Sequence, residues 1–376
     1  MKILITGGAG FIGSRLVESL FEKGHDLRVI DNLSPQIHGD DPFNSDLFAK
    51  IQGKCDFHHQ DIAKISDWER FLADVDVLVH LAAETGTGQS MYEIGKYNLV
   101  NCQATANIAD FIVNNKTKLK NVIVSSSRAV YGEGKYKCLE HGIHYPGARR
   151  VSDMERAIFE PLCPVCDSEL QMIPTTEESP VSPASIYGLS KYNQEQTLLI
   201  ACSSIGINTI SLRYQNVYGP GQSLSNPYTG ILSIFSNRIL DGKDINIFED
   251  GLESRDFVYI EDVVQATESA IYNSNGYTGI INVGTGVKTS VLDVLSHLQS
   301  NYEKESDFTI SGDFRVGDIR HNVADITLLK EKLNFIPKVS FSEGIEKFCK
   351  WVSAQNRGVD NYEDSLSEMK DKGLLK

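Results

Sequence analysis

The chain has 376 residues, 41% of them hydrophobic, and a formal net charge of −14. That length and apolar content suit one large or two modest globular domains. The acidic surface repels a phosphate backbone, so nucleic acid is not expected as a partner.

No apolar run reaches the roughly 18 residues of a membrane span, so no membrane association is expected. The opening MKILITGGAGFIG has glycines and no cleavage site, and reads as a first strand and turn rather than a signal. Seven cysteines, an odd number in a long chain, do not suit a disulfide-stapled secreted domain. A reduced, cytoplasmic protein is expected.

Short β-rich runs occupy 2–6, 26–32, 55–62, 76–83 and 121–127. Periodic helical segments lie between them. In FIGSRLVESLFEKG, Ile12, Leu16, Leu20 and Phe21 are spaced to share a face, and Gly24 ends the helix. This βαβα rhythm predicts an α/β protein, a doubly wound parallel sheet of Rossmann type with helices on both faces. A helix at about 183–204 and a strand at 208–219 extend it. Past 220 the rhythm loosens: 225–240 and 259–272 read as helices and 280–286 as a strand. The expected division is a Rossmann domain over 1–220 and a smaller mixed α/β domain over 221–376, with about 257–285 returning to the sheet. The last 20 residues are highly charged and read as a surface helix or a loose tail.

The first turn, Thr6-Gly7-Gly8-Ala9-Gly10-Phe11-Ile12-Gly13, spaces Gly7, Gly10 and Gly13 between a strand and a helix. Bare backbone there lets a pyrophosphate reach amide groups at a helix N-terminus. Asp31 ends the second strand, where a carboxylate accepts from a ribose 2′-hydroxyl and repels a 2′-phosphate, favouring NAD over NADP. Asp61 and Ile62 sit where the third strand ends and can edge the adenine. Leu81, Ala82 and Ala83 follow the fourth strand, where small residues let the cofactor pass. Phe11, Ile12, Asn32 and Asn98 complete the expected cofactor set, with Tyr187 and Lys191.

SPASIYGLSKYNQE spaces Tyr187 and Lys191 four apart, on one helical face. An ammonium beside the phenol lowers its pKa and suits it to general-base duty. Ser127, ending the fifth strand, supplies a hydroxyl for the substrate oxygen.

TGGAGFIG, DNLS, HLAA, SSSRAVYG, YGLSK, RYQNVYGP, RDFVYIEDV and RVGDIRH occur in one order along nearly the whole chain. In this the chain resembles the extended short-chain dehydrogenases/reductases of the NAD-dependent sugar-nucleotide epimerase/dehydratase type. The resemblance implies an N-terminal domain carrying NAD and a C-terminal domain carrying a nucleoside-diphosphate sugar. It assigns Ser127, Tyr187 and Lys191 to catalysis, and Asn216, Arg255 and Arg315 to the diphosphate, with Asp318 beside them. It also implies a homodimer paired through the helices at 97–115 and 183–204. Dehydratases of the family resemble TDEVYG where this chain has SRAVYG. Arg128 and Ala129 replace their acidic pair, so dehydration is disfavoured. Oxidation at C4 and re-reduction on the other face, an epimerisation, is the expected reaction. A sugar-nucleotide 4-dehydrogenase or reductase would use the same three residues.

DNLSPQIHG, GQSMYEI, SNPYTGILSIF, FEDGLESRDFV and RVGDIRHNVADI resemble the dTDP-L-rhamnose 4-epimerase branch, which also carries a cysteine-rich insert. UDP-sugar 4-epimerases are the alternative. Gln89, Ser90 and Asn226 would then help to shape the sugar and base pockets.

Between Tyr131 and Tyr187 the chain carries an insert, about 133–178, with Cys138, His141, Cys163 and Cys166. Cys-x2-His and Cys-x2-Cys suit a tetrahedral zinc with no open position, hence a structural one. His144 is a rival ligand to His141, and Asp167 stands where zinc knuckles often carry glycine.

Overall fold

The computed structural model describes residues 1–224, 230–272, 276–355 and 362–376. Among these, seven parallel strands form the central sheet. They are β1 (Lys2–Thr6), β2 (Asp26–Asp31), β3 (Asp56–His59), β4 (Val77–His80), β5 (Asn121–Ser127), β6 (Asn208–Tyr214) and β7 (Gly279–Val283). Their spatial order is β7-β6-β5-β4-β1-β2-β3. The order reverses between β1 and β4, and in open α/β sheets the crevice outside the carboxyl ends at such a point binds ligands.

Alternation along the strands feeds two cores. Ile3, Ile5, Val77 and Val79 face one side, with Leu16, Val17 and Leu20 of α1 (Phe11–Glu22). Leu4, Leu78, Val122 and Val124 face the other. There they meet Ile108 and Ile112 of α2 (Ala104–Asn114) and Leu198 and Cys202 of α3 (Ile186–Ser203). The predicted face of α1 is off by part of a turn: Gly13, Leu16, Val17 and Leu20 are buried, whereas Phe21 is 44% exposed. Phe21 continues the Val17 row in the last turn of α1 and stays largely at the surface there.

Several elements are shorter than the sequence suggested. β3 stops at His59, because Asp61 turns the chain by capping a short 3₁₀ segment, Ile62–Lys64. β4 stops at His80, leaving Leu81 to Ala83 at the sheet edge. The predicted strand at 208–219 divides: Asn208–Tyr214 stays in the sheet, and Asn216–Tyr218 pairs in parallel with Phe257–Tyr259. The predicted helix at 225–240 begins at Ile231 within the described residues; 225–229, Asn226 among them, lie outside those residues.

Helix α4 (Ile260–Ile271) buries Val263, Val264 and Ala270 in the same core as α1. The remaining C-terminal elements include small two- and three-stranded sheets and two helices started by capping boxes, Ser290/Asp293 and Ser340/Glu343. The charged terminus is a docked helix, α5 (Tyr362–Asp371), followed by a strand-like end. Tyr362, Leu366, Met369 and Leu375 are buried there. The insert folds as a three-stranded antiparallel sheet, with Gly142–His144 and Gln171–Met172 flanking Tyr136–Cys138. No helix among the described residues is long and apolar enough to cross a membrane.

Candidate active site

A cavity of about 460 Å³ opens at the carboxyl ends of the strands. One end is the glycine turn. Gly7 has φ +71°, a conformation open to glycine, and a Cβ there would lie 2.7 Å from the Ala82 amide nitrogen. At Gly13 a Cβ would run into the carbonyl of Gly7 and the backbone of Gly8, so only glycine lets α1 pack this close. The turn puts Gly7, Gly10 and Gly13 on the cavity lining at the start of α1, a place whose backbone amides suit a diphosphate.

Asp31 lines the same end. Its Oδ2 accepts from the Ala9 amide at 3.0 Å and its Oδ1 from the Leu33 amide at 2.8 Å. Burial pushes its pKa up, against those two amide bonds. Each oxygen keeps a further lone pair for a ribose hydroxyl. Gly10, Phe11, Ile12, Asn32, Asp61, Ile62, Leu81, Ala82 and Ala83 also line the cavity. Asn98 does not: it is exposed, its amide donating to the Ile94 carbonyl at 3.0 Å. Asn101 occupies the inward side of that helix, gripping the backbone of Glu84 and the Ser190 hydroxyl.

At the other end stand Ser127, Tyr187 and Lys191. Ser185 starts α3 by accepting the Gly188 amide at 3.1 Å, and Ser90 Oγ accepts the Tyr187 amide at 3.0 Å. The helix start, and with it the phenol, is thereby fixed. Burial raises the pKa of Tyr187; a hydrogen bond from Ser127 and the charge of Arg128 pull it the other way. Lys191 Nζ donates to Ser125 Oγ at 3.2 Å and Gln194 Oε1 at 2.8 Å. Burial pushes that amine down to about 7, opposed by the Glu195 carboxylate. Arg128 is thus a cation that acts on the phenol, in addition to Lys191, which lines the same cavity four residues along α3.

Behind Lys191 lies a buried relay. Gln194 Nε2 lies 3.1 Å from His80 Nε2, and His80 is also held by Thr6 and Thr105 at 2.7 and 2.9 Å. Burial, with Lys191 nearby, pushes His80 down to about 3, so it stays neutral and purely a spacer.

A second cavity of about 110 Å³ adjoins, lined by Arg128, Arg315 and Asp318 among others. Arg128 Nε donates to Asn216 Oδ1 at 2.8 Å, and burial pushes its guanidinium down to about 10. Arg255 lines neither cavity; its Nη2 donates to Asp318 Oδ1 at 3.0 Å and the Ile319 carbonyl at 2.8 Å. Burial opposes ionisation of Asp318, yet Arg255, Arg315 and Arg128 hold its carboxyl below the usual range. Gln89 and Ser90 also lie outside both linings: Gln89 bonds Gln36, and Ser90 serves α3.

Two residues emerge that the sequence reading did not assign. Arg128 was noted only as the loss of an acid. Gln215 lines the large cavity at 4% exposure, and neither polar atom of its amide meets a partner among the described residues. Its place between β6 and Asn216 in RYQNVYG was the available signal.

In the insert, the ligand atoms of Cys138, His141, Cys163 and Cys166 lie within 4.8 Å of one another. Cys138 Sγ is 3.6 Å from His141 Nδ1 and 3.8 Å from Cys166 Sγ, and Cys163 Sγ is 3.7 Å from His141 Nδ1. Zinc bonds of about 2.0–2.3 Å in a tetrahedron place ligands roughly 3.3–3.8 Å apart, so these edges fit. All seven cysteines are free of disulfides. Asp167 has φ +54°, so the backbone adopts the conformation a knuckle glycine would, which aspartate tolerates better than most residues.

The profile of the NAD dependent epimerase/dehydratase family matches residues 3–149 and 163–284. The chain is 35% identical to a dTDP-L-rhamnose 4-epimerase from Burkholderia thailandensis, over 94% of this chain and 95% of that one. It is 31% identical to a putative UDP-glucose 4-epimerase from Methanocaldococcus jannaschii, over 94% and 99%. Among solved structures, a mutant UDP-glucuronic acid 4-epimerase from Bacillus cereus, in complex with UDP-4-deoxy-4-fluoro-glucuronic acid and NAD, superposes with a TM-score of 0.77. It shares 26% identity over 94% of this chain and 99% of that one. The glycine cradle, the Ser127–Tyr187–Lys191 wall and these matches agree, and the chain belongs to the NAD dependent epimerase/dehydratase family.

Proposed function

We infer that the protein is an NAD-dependent sugar-nucleotide 4-epimerase, with dTDP-L-rhamnose as lead substrate and UDP-sugars as the alternative. One observation carries the reading. Ser127, Tyr187 and Lys191 meet on the wall of a cavity whose far end is a diphosphate cradle, and Arg128 stands where a dehydratase would carry an acid. Gly7, Gly10, Gly13 and Asp31 would hold NAD, which would supply reversible hydride transfer at C4 of the sugar, and the keto sugar would turn over between the two transfers to present its other face. Tyr187 Oη takes the C4 hydroxyl proton and later gives it back. Ser127 Oγ bonds the C4 oxygen, and Arg128 favours the phenolate. Lys191, with a pKa of about 7, exchanges protons with the phenol's surroundings near neutral pH. Hydride and proton both return, so no net redox change occurs.

The reading divides the chain into a cofactor domain, 1–220 with the insert at 133–178, and a substrate domain, 221–376 with 257–285 back in the sheet. The 35% identity to a rhamnose 4-epimerase supports the substrate. Cys138, His141, Cys163 and Cys166 would hold a structural zinc, supplying folding energy that so small a module lacks. A homodimer through the 97–115 and 183–204 helices is supported by Leu99, Leu189 and Ile200, which are 52%, 52% and 69% exposed there.

The test is incubation of the purified protein with dTDP-L-rhamnose, UDP-glucose and UDP-glucuronic acid, without added cofactor. Sustained interconversion of the C4 epimers of one of them is expected. A stoichiometric requirement for NAD or NADH would overturn the epimerase in favour of a dehydrogenase or reductase. Tyr187→Phe should retain NAD and lose activity by about 10³-fold.

A further inference from the structure

The insert reaches well beyond its cysteines. Its residues 149–160 lie against the loop 314–320, which carries Arg315 and Asp318. Met154 and Phe159 are buried with Phe314, and Val151 and Val316 pack on them. The Arg149 side chain is 4% exposed. Its two Nη atoms grip the Glu249 carboxylate at 2.8 and 2.7 Å, and Nη2 also donates to the Asp318 carbonyl at 3.1 Å. Its Nε lies 3.2 Å from Glu133 Oε1. Glu133 Oε2 in turn accepts the Arg320 amide at 2.8 Å. The Arg320 side chain, 1% exposed, donates to Glu160 at 2.7 Å and to Glu249 and Asp250 at 3.0 and 2.7 Å.

Both halves of the loop's end are therefore fixed from the insert: Asp318 by Arg149, and Arg320 by Glu133 and Glu160. The same loop holds Arg255 through Asp318 Oδ1 and the Ile319 carbonyl. No described residue of 133–178 lines either cavity. Buried charges are costly unless each is paired, so this network tolerates one geometry and few others.

We propose that the insert is a buttress for the 314–320 loop, with Arg149 as its positioning residue, so that the insert's fold sets affinity for the nucleoside diphosphate. This rests on the proposed function and on the family resemblance, which assigns Arg315, a lining residue of the small cavity, and Arg255, held by Asp318, to the diphosphate. The insert acts through the loop and leaves the dinucleotide cradle untouched.

The experiment uses the full chain and three variants. Arg149→Met removes the fork, Arg149→Lys keeps its charge, and Phe159→Ala removes the apolar contact and the ring 5.8 Å from the Arg320 guanidinium while leaving every carboxylate partner in place. Dissociation constants for NAD, dTDP and UDP are titrated, and KM and kcat are measured with the turned-over sugar nucleotide. Arg149→Met and Phe159→Ala should each weaken the preferred nucleoside diphosphate and raise KM by about tenfold. NAD affinity should be unchanged and kcat should stay within about twofold. Arg149→Lys should recover part of the loss. Nucleotide affinity unchanged in folded Phe159→Ala, or NAD affinity falling in parallel, would overturn the buttress. Wild-type protein that binds neither dTDP nor UDP would overturn the nucleotide-sugar reading itself.

Discussion

At the scale of single residues, the phenol of Tyr187 is set by opposing effects, of which burial is the largest. Burial raises its pKa, and Ser127 and Arg128 lower it. Arg128→Met removes the charge and leaves the burial. The acidic limb of the kcat/KM profile should then move to higher pH, because the phenolate becomes harder to form. A rate loss with an unmoved limb would assign Arg128 to substrate binding alone. Glu253 offers a stability counterpart. Its side chain is 14% exposed, and Oε2 is 3.8 Å from Arg320 Nη1, beyond hydrogen-bond reach. Burial, then the Glu249 charge, pushes it up to about 7 from 4.5. A raised folded pKa favours the folded state fully below 4.5, and that advantage is lost as pH rises to 7. Above it the protein carries a poorly placed carboxylate, at a cost on the order of 2–3 kcal/mol. Glu253→Gln should raise Tm by a few degrees at pH 8 and leave it nearly unchanged at pH 4, below both pKa values. Thermal unfolding at both values checks this, and an equal gain at both would remove the titration from the explanation.

At the scale of elements, what was legible had a local cause. The glycine turn and Asp31 could be read because backbone approach and a strand-end carboxylate are short-range requirements, met within the first βαβ unit. Tyr187 and Lys191 could be placed on one helix by spacing alone. The partner of the phenol could not, since Arg128 arrives from the end of β5 and its position depends on Asn216, 88 residues away. Strand ends were overextended for a related reason: apolar runs such as 76–83 continue past the last sheet bond into cavity lining. Asn98 was misplaced because helical phase near a π-type stretch, Asn98–Gln103, departs from the ideal period. The gathering of Cys138, His141, Cys163 and Cys166 was legible from spacing, and the structure brings the four within 4.8 Å of one another. The insert's own core is small: Tyr136, Cys138, Cys163 and Leu170, with Met172 against them. Cys163→Ser removes one ligand at a fully buried position. Zinc in untagged protein should fall from about one equivalent to under a tenth, with an earlier unfolding transition. Unchanged stability alongside metal loss would mean that the clip does not hold the insert together.

At the scale of the whole molecule, the charged terminus, read as a surface helix or loose tail, is a docked helix that lines the small cavity through Met369 and Leu374. Charge misled there: α5 is polar on average, yet one stripe, Tyr362, Leu366 and Met369, is buried against Ile234 and Phe248. The chain end then pairs with the 314–316 stretch, Phe314 and Lys376 exchanging amide bonds at 2.8 and 3.0 Å and Val316 donating to the Leu374 carbonyl at 2.9 Å. Across the pocket, Tyr92 donates to Glu368 at 3.3 Å, and the Lys372 ammonium sits 3.4 Å from the Tyr92 ring centroid. Met369 and Leu374 thus line the small cavity opposite Arg128 and beside Arg315. On the proposed function, such a wall would shield the sugar nucleotide and leave the cofactor end of the large cavity untouched. Deleting 362–376 strips the buried stripe, whose apolar side chains contribute roughly 1.5–3 kcal/mol each before ordering costs. The truncated chain should bind NAD as before, and its KM for the sugar nucleotide should rise about tenfold as the loop loses its strand partner. Met369→Ala with Leu374→Ala keeps the backbone pairing and should raise KM by less. Equal NAD affinity, measured beside each KM, separates a lost wall from general unfolding. A KM that stays at the wild-type value in the truncated chain would show that the sugar is held without the terminus.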